Sequence, residues 1–264
     1  MEPVPGARSF EADGEAYDEF MGRYSRALAV PFADAAGVGA GQRAVDVGCG
    51  PGALTRVLVE RLGPSAVAAV DPSEPFVRAC AERFPGVDVR RGRAESLPLP
   101  GADRDVALAQ LVLHFVSDPA GAVSEMARVV RPGGVVGACV WDFAEGMQML
   151  RLYWDAALAV DPTAPDEART LRFGRPGEIP ALLEAAGLLE VEESTLTVES
   201  AYRDVDELWS ALLLGVGPAG SHCVSLPATA QHRVRREIEA RLGRPSDPFR
   251  LSATARCAVG RTPS

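Results

Sequence analysis

The sequence predicts a doubly wound α/β fold with a mostly parallel sheet and a helical lid. Three observations carry that expectation. Residues 42–141 alternate short apolar runs with helical apolar periods, the pattern of βαβ units. A glycine-rich stretch, VDVGCGPG at residues 45–52, sits between the first such run and the first helical pattern. Two later runs with period 2, EVEESTLTVES and FRLSATARCAV, would bring the sheet to seven strands.

Taken in order, helices are expected over residues 13–37, ahead of a core at 42–142. Its strands are predicted at 43–47, 66–70, 87–90, 105–111 and 135–141. Leu54, Val57, Leu58 and Leu62 form an apolar stripe that ends before Gly63. Phe76, Cys80 and Phe84 form another, with Ser73 as its N-cap. Asp118 followed by Pro119 reads as an N-cap and first helical residue, and RPGG at 131–134 as the stop of that helix. Ile179, Leu182, Leu183 and Ala186 recur at helical spacing before Gly187. Two insertions break the alternation: residues 143–175, with the helical pattern GMQMLRLYWDAALAV, and residues 204–248, read as two helices joined by a Gly-rich loop. Both follow late strands, where additions cover a ligand crevice. All 264 residues form one domain in this reading.

Composition narrows the function classes. A net charge of −9 and a pI of about 5.0, with no dense Lys/Arg run, argue against a nucleic-acid partner. Arg233, Arg235 and Arg236 alternate with acids on a predicted helix and read as a solvated face. Cys49, Cys80, Cys139, Cys223 and Cys257 show neither metal-like spacing nor an even count, which fits buried thiols in a reducing cytosol. The start, MEPVPGARSFEADGEAY, lacks an apolar signal region, and no apolar run is long enough to span a bilayer. A cytoplasmic location without a membrane partner is expected.

Two glycine clusters compete as ligand sites. GVGPAG at 215–220 matches G-x-G-x-x-G letter for letter, yet it follows the helical pattern WSALLL, and no strand precedes it. It reads as a flexible lid loop. VDVGCGPG has the strand–turn–helix context: Gly48, Gly50 and Gly52 would bare the backbone where a ligand meets a helix N-terminus. Asp71, at the tip of the next strand, could accept both hydroxyls of a ribose. NAD and S-adenosylmethionine each bring a ribose to that place, and Ala53 permits NAD. The Gly48-x-Gly50-x-Gly52 spacing, with Asp46 two residues before Gly48, separates the two.

The stretches YDEFMGRYSRALA, AVDVGCGPGALT, AAVDPSEPFVRAC, AESLPLP, ALAQLVLHFVSDP and VVRPGGVVGACVWD lie in register over residues 17–142. Together they resemble class I S-adenosylmethionine-dependent methyltransferases, in the branch similar to ubiquinone/menaquinone-biosynthesis enzymes. The resemblance implies a Rossmann-like seven-stranded sheet, mostly parallel with the last strand antiparallel. It implies S-adenosyl-L-methionine as cofactor and S-adenosyl-L-homocysteine as product. Asp46 and the loop of Gly48, Cys49, Gly50 and Gly52 would hold the methionine part. Asp71, followed by Pro72, would hold the ribose. Ala94 and Glu95 would lie by the adenine and Gln110 near the sulfonium, while Tyr17, Arg23 and Tyr24 would close over the cofactor. Arg93 departs from the acidic residue common at its place in relatives, so backbone N–H groups near Ala94 would serve the adenine.

Methyl transfer from a sulfonium needs alignment more than acid–base power. His114, at the end of a predicted strand, is the candidate base; its alternative role is to line the pocket without chemistry. Trp141, Phe143, Tyr153, Trp154, Trp209 and His222 are candidates for an acceptor pocket; the alternative is core packing for the aromatics at helical spacing and a solvated loop for His222, while His232, on a polar helix face, is assigned nothing. Asp142 has no second carboxylate at metal-binding spacing, so no metal is expected. The leading expectation is methylation of a small molecule at oxygen, nitrogen or carbon. The alternatives are a tRNA-base methyltransferase and a non-catalytic cofactor-binding module.

Overall fold

A computed structural model describes residues 14–243, 245 and 247–264, and residue 13 of the expected N-terminal helices lies outside them. Sequence pattern and element type agree along the core. The strands are β1 (Ala44–Val47), β2 (Val67–Asp71), β3 (Asp88–Arg91), β4 (Arg104–Gln110), β5 (Val130–Trp141), β6 (Leu189–Tyr202) and β7 (Phe249–Arg261). They form one sheet in the order β3-β2-β1-β4-β5-β7-β6. β7 runs antiparallel between β5 and β6, and the other neighbours pair in parallel. β1 and β2 are buried along their whole length, as central parallel strands covered on both faces must be.

The chain enters through α1 (Gly14–Tyr17), a π-helical turn (Asp18–Gly22) and α2 (Arg23–Ala35). α3 (Ala53–Leu62) and α4 (Glu74–Arg83) connect the strands to one side of β1, and α5 (Pro119–Val129) connects β4 to β5 on the other side. The strand order reverses at β1/β4, so right-handed crossovers put α3 and α4 on one face and α5 on the opposite one. α8 (Glu178–Ala185) packs beside α5 and against β6 and β7. Asp118 caps α5 by accepting the Gly121 N–H at 3.0 Å, as its place before Pro119 suggests.

Two readings are corrected. RPGG does not lie between helix and strand: α5 ends at Val129, and β5 begins at Val130 and runs through RPGG, with a register shift between Arg104 and Val106. The segment 204–248 holds three helices, α9 (Val205–Leu213), α10 (Gly217–Ser225) and α11 (Ala228–Arg241). GVGPAG is therefore not a loop between two helices. Gly217 opens α10 with Pro218 in its first turn, where a missing N–H costs nothing, and Gly217, Ala219 and Gly220 are buried. Gly220 is needed there, because a Cβ would stand 2.9 Å from the Gly215 backbone. The insertion after β5 holds α6 (Gln148–Val160) and α7 (Glu167–Thr170), and α6 packs on α11.

All five cysteines are buried and free, with Cys139 directly opposite Cys257 across β5 and β7. Among the described residues no helix is long and apolar enough to cross a membrane.

α2 rests on the sheet over Gly137. A Cβ at that position would stand 3.0 Å from Leu108 Cδ2, 3.3 Å from Val259 Cγ2 and 3.5 Å from Phe32 Cε2. Gly137→Val should therefore destabilise the protein by about 1–3 kcal/mol through overpacking, despite the better strand propensity of valine. Urea unfolding checks this, and an unchanged midpoint would mean that α2 does not sit tightly on the sheet.

Candidate active site

The turn after β1 is built by backbone approach. The N–H groups of Gly48 and Cys49 both donate to the Val70 carbonyl, at 2.7 and 3.1 Å, which ties the turn to the tip of β2. Gly48 has φ +73°, and a Cβ there would stand 2.4 Å from Val112 Cγ2. Gly52, at φ +99°, caps α3, and a Cβ on it would meet Phe84 at 2.4 Å. Around a Cβ at Gly50 there is nothing within 4 Å, because this residue faces an open cavity. Behind the turn, buried Asp46 accepts the Thr55 hydroxyl at 2.6 Å, and burial pushes its carboxyl up to about 7. Cys49 is buried beside Cys80, away from the cavity.

Asp71 accepts the Gly50 N–H at 2.9 Å and the Ser73 N–H at 2.8 Å. Burial raises its pKa, and the two N–H donors work against that rise. Each carboxylate oxygen has a further lone pair, so the group can still accept two ribose hydroxyls.

The cavity has a volume of about 700 Å³, within the range of small-molecule sites. On one side it is lined by Tyr17, Gly48, Gly50, Asp71–Phe76, Arg91 and Arg93–Glu95, from the N-terminal segment and the ends of β1 to β3. Phe20 and Met21 of the π-helical turn complete that wall. Arg83 secures the turn, donating to the Pro51 carbonyl at 3.1 Å and pairing with Asp18 at 2.7 Å. Glu95 accepts from Ser117 at 2.7 Å and from Arg93 at 3.0 Å. The arginine that departs from the family pattern thus pairs with the carboxylate two residues on.

The other side is built by the ends of β4 and β5 and by the two insertions. Gln110, Leu111, His114, Trp141, Phe143, Leu150, Glu167 and Val216–Ala219 line it. Gln110 donates to the Ser25 carbonyl at 2.9 Å, which leaves its Oε1 buried without a partner. His114 lies against Phe115 and Phe143, with ring centroids 3.9 and 5.2 Å away. Its Nδ1 is buried and unpartnered, as is Trp141 Nε1. Desolvation pushes the His114 pKa down to about 3, so the ring is neutral at physiological pH.

Glu167 was not legible as a site residue. In TAPDEART it looks like an ordinary acid in the first turn of a helix, following the capping Asp166. Folding turns it inward, leaving it 3% exposed at the cavity wall, where it accepts the Trp154 indole N–H at 2.6 Å. Burial raises its carboxyl to about 7. Arg151, the nearby cation, is held by Asp166 at 2.7 Å and Asp155 at 2.6 Å.

Several expected residues do not reach the cavity. Arg23 pairs with Glu207 at 2.6 Å, donates to the Ala201 carbonyl and lies over the Tyr202 ring. Tyr24 is fully buried, with its hydroxyl 3.1 Å from that of Tyr202. Of the N-terminal trio, Tyr17 alone lines the site. Tyr153 and Trp154 are core residues of α6 and Trp209 of α9. His222 is neither in a loop nor over the cavity: it sits half-buried in α10, 2.7 Å from the Tyr153 hydroxyl, with its ring near Trp154. Asp142 pairs with Arg256 at 2.7 Å, and among the described residues no group of three acids, histidines or cysteines could hold a metal.

A family model described as a methyltransferase domain matches residues 45–138. Nocamycin O-methyltransferase from Saccharothrix syringae is 34% identical over 63% of this chain and 67% of its own. Trans-aconitate 2-methyltransferase from Azoarcus sp. is 34% identical over 47% of this chain and 48% of its own. Among solved structures, a putative type II methyltransferase from Anaeromyxobacter dehalogenans has a TM-score of 0.62 at 25% identity, covering 90% of this chain and 97% of that one. The chain spans less than half the length of several of the curated relatives it matches, 31% in one case. Neither of the two curated relatives named here belongs by name to the quinone branch.

Two outcomes are expected from this geometry. Asp71→Ala should weaken S-adenosylhomocysteine binding at least about tenfold, the value of roughly one charge-assisted hydrogen bond, with circular dichroism unchanged. Unaltered affinity in calorimetric titration would remove Asp71 from the site. The second outcome concerns pH. With its pKa raised to about 7 in the fold, Glu167 holds its proton more tightly folded than unfolded. It thus stabilises the fold below about 4.5 and loses that effect as the pH rises through about 7. Relative to Glu167→Gln, the native protein should show a falling urea midpoint across that window. Parallel midpoints would mean that the carboxyl is solvated.

Proposed function

The chain belongs to the class I S-adenosylmethionine-dependent methyltransferase family, and from that premise we propose that it methylates a small, largely apolar acceptor. One observation carries the proposal: a single cavity joins the Gly48–Asp71–Glu95 side to a wall of Leu111, His114, Trp141, Phe143, Leu150 and Val216.

The residues suit the cofactor. Gly48 and Gly50 offer bare backbone, Asp71 retains acceptor capacity for two hydroxyls, and the buried orphan Gln110 Oε1 is an electron-rich atom for a positively charged ligand. Tyr17, Pro72, Ala94 and Glu95 would complete the nucleoside side, with Asp46 buttressing the turn through Thr55. When bound, S-adenosylmethionine supplies a methyl group on a cationic sulfur that is already a good leaving group. What remains for the protein is to hold the acceptor in line and keep water out. Trp141 and Phe143 serve that role as apolar walls. His114, with a pKa of about 3, is far from the operating pH and so is a weak general base. Its neutral ring orients the acceptor instead.

Nucleic acid is the weaker reading. The net charge of −9 opposes a phosphate track, and the arginines at the cavity, Arg91 and Arg93, face Glu74 and Glu95. Calorimetry should show binding of S-adenosylmethionine and S-adenosylhomocysteine but not of NAD. Isotopically labelled cofactor incubated with bulk tRNA should leave the RNA unlabelled, whereas label should enter small molecules of a cell extract. Stoichiometric labelling of tRNA, or preference for NAD, would overturn the reading.

A further inference from the structure

We propose that Glu167 is the acceptor-recognising residue, and that it selects an apolar molecule presenting an O–H or N–H group and rejects carboxylates. The inference rests on the methyltransferase reading and narrows its acceptor.

The geometry supports it in three steps. Among the described residues, Glu167 is the ionisable carboxyl on the side of the cavity built by β4, β5 and the insertions, and no arginine or lysine lines that side. Its Oε2 is engaged by the Trp154 indole, which fixes the side chain, and the remaining acceptor capacity has no protein donor among the described contacts. Arg151 offsets only part of its charge: Asp166 and Asp155 hold that guanidinium, and Asp166 pushes the Glu167 carboxyl up more than Arg151 pulls it down. The other unpartnered buried polar atoms of this wall are Gln110 Oε1, Trp141 Nε1 and His114 Nδ1. A hydroxyl or amine suits such a wall, since it can donate to Glu167 and accept from Trp141. Beside the uncharged sulfur of S-adenosylhomocysteine, a carboxylate would bring a second negative charge to a side of the cavity whose lining residues supply no cation, which is strongly disfavoured.

The same placement gives Glu167 a proton to take. As the acceptor's oxygen or nitrogen lone pair forms its bond to the methyl carbon, the carbon–sulfur pair stays with sulfur and the acceptor's proton passes to the Glu167 carboxylate. A carboxyl raised to about 7 is matched to that task near neutral pH, which His114 is not. Asp166 on its own helix, Arg151 and Tyr153 on α6 and neutral His114 are the titratable groups around it.

The test uses the full chain loaded with S-adenosylhomocysteine and aromatic probes in matched pairs: phenol with benzoate, naphthol with naphthoate, benzylamine with phenylacetate. The phenols and amine should bind at least about tenfold more tightly than their carboxylate partners at neutral pH. Glu167→Gln keeps an amide oxygen for Trp154, so it should fold and bind S-adenosylhomocysteine within about twofold of the native protein. In it the preference should shrink to about threefold or less, because the excluded charge is gone. Carboxylates binding as well as phenols to the native protein would overturn the assignment. So would selectivity that is unchanged in the variant, or the failure of every phenol and amine to bind. If S-adenosylhomocysteine itself fails to bind, the methyltransferase reading falls. The probe selectivity is then read on the unloaded chain by the same criterion.

Discussion

The approach of the Gly48 backbone to Val112 is the constraint on which the site depends. No side chain fits between them, since a Cβ would stand 2.4 Å from the valine methyl. That closeness brings the turn after β1 and the segment after β4 together at the place where the strand order reverses. In an open α/β sheet this is where the crevice forms. The Gly48 and Cys49 N–H groups are spent on the Val70 carbonyl, so the turn's shape is tied to the tip of β2 and hence to Asp71. Asp71 in turn accepts the Gly50 N–H, and β1, β2 and the turn lock one another.

The core was legible because its signals are local. A strand, a glycine turn and a helix with an apolar stripe each announce themselves within about ten residues, and the family motifs repeat that information in register. The wall of the cavity opposite the glycine turn was less legible, for physical reasons. Trp154, Tyr153 and Trp209 fit either a pocket or the core by sequence, and the helices carrying them turn those faces into the core, where large rings gain most from burial. His222 reads as a loop histidine in the sequence because the glycines of GVGPAG suggest a loop. Pro218 in a first turn and a glycine that admits the Gly215 backbone are instead the marks of a helix start packed against its predecessor. Glu167 gave no signal, since its inward turn is decided by a tertiary hydrogen bond to Trp154, thirteen positions earlier in the chain.

The N-terminal segment shows how a cavity wall is held by residues that do not line the cavity. Arg23 and Tyr24 were expected over the cofactor, yet they fasten α2 to the end of β6 and the start of α9, through Tyr202, Ala201 and Glu207. Arg83 does the same at the opposite end, joining the glycine turn at Pro51 to Asp18. Phe20 and Met21 lie between these two anchors and Tyr17 just before Asp18; they are the residues of this segment that line the cavity. The lining is thus a short apolar span suspended between charged clasps. Both clasps are part-exposed, so each is worth little alone, of order 1 kcal/mol or less. A covering of that kind can open at modest cost, as a site that must exchange its ligands requires.

The unpartnered atoms of the cavity follow one logic. Folded proteins rarely leave buried polar groups without partners, because each costs about 1–3 kcal/mol. Gln110 Oε1, His114 Nδ1 and Trp141 Nε1 all break that rule, and all three belong to residues lining the same cavity. Their retention beside a buried carboxyl concentrates unmet hydrogen-bonding capacity where a ligand would enter, so binding can recover what folding left unsatisfied. It also makes the cavity discriminating: a ligand that leaves any of these atoms unmet bears the cost that the empty protein already carries, whereas one that meets them is released from it.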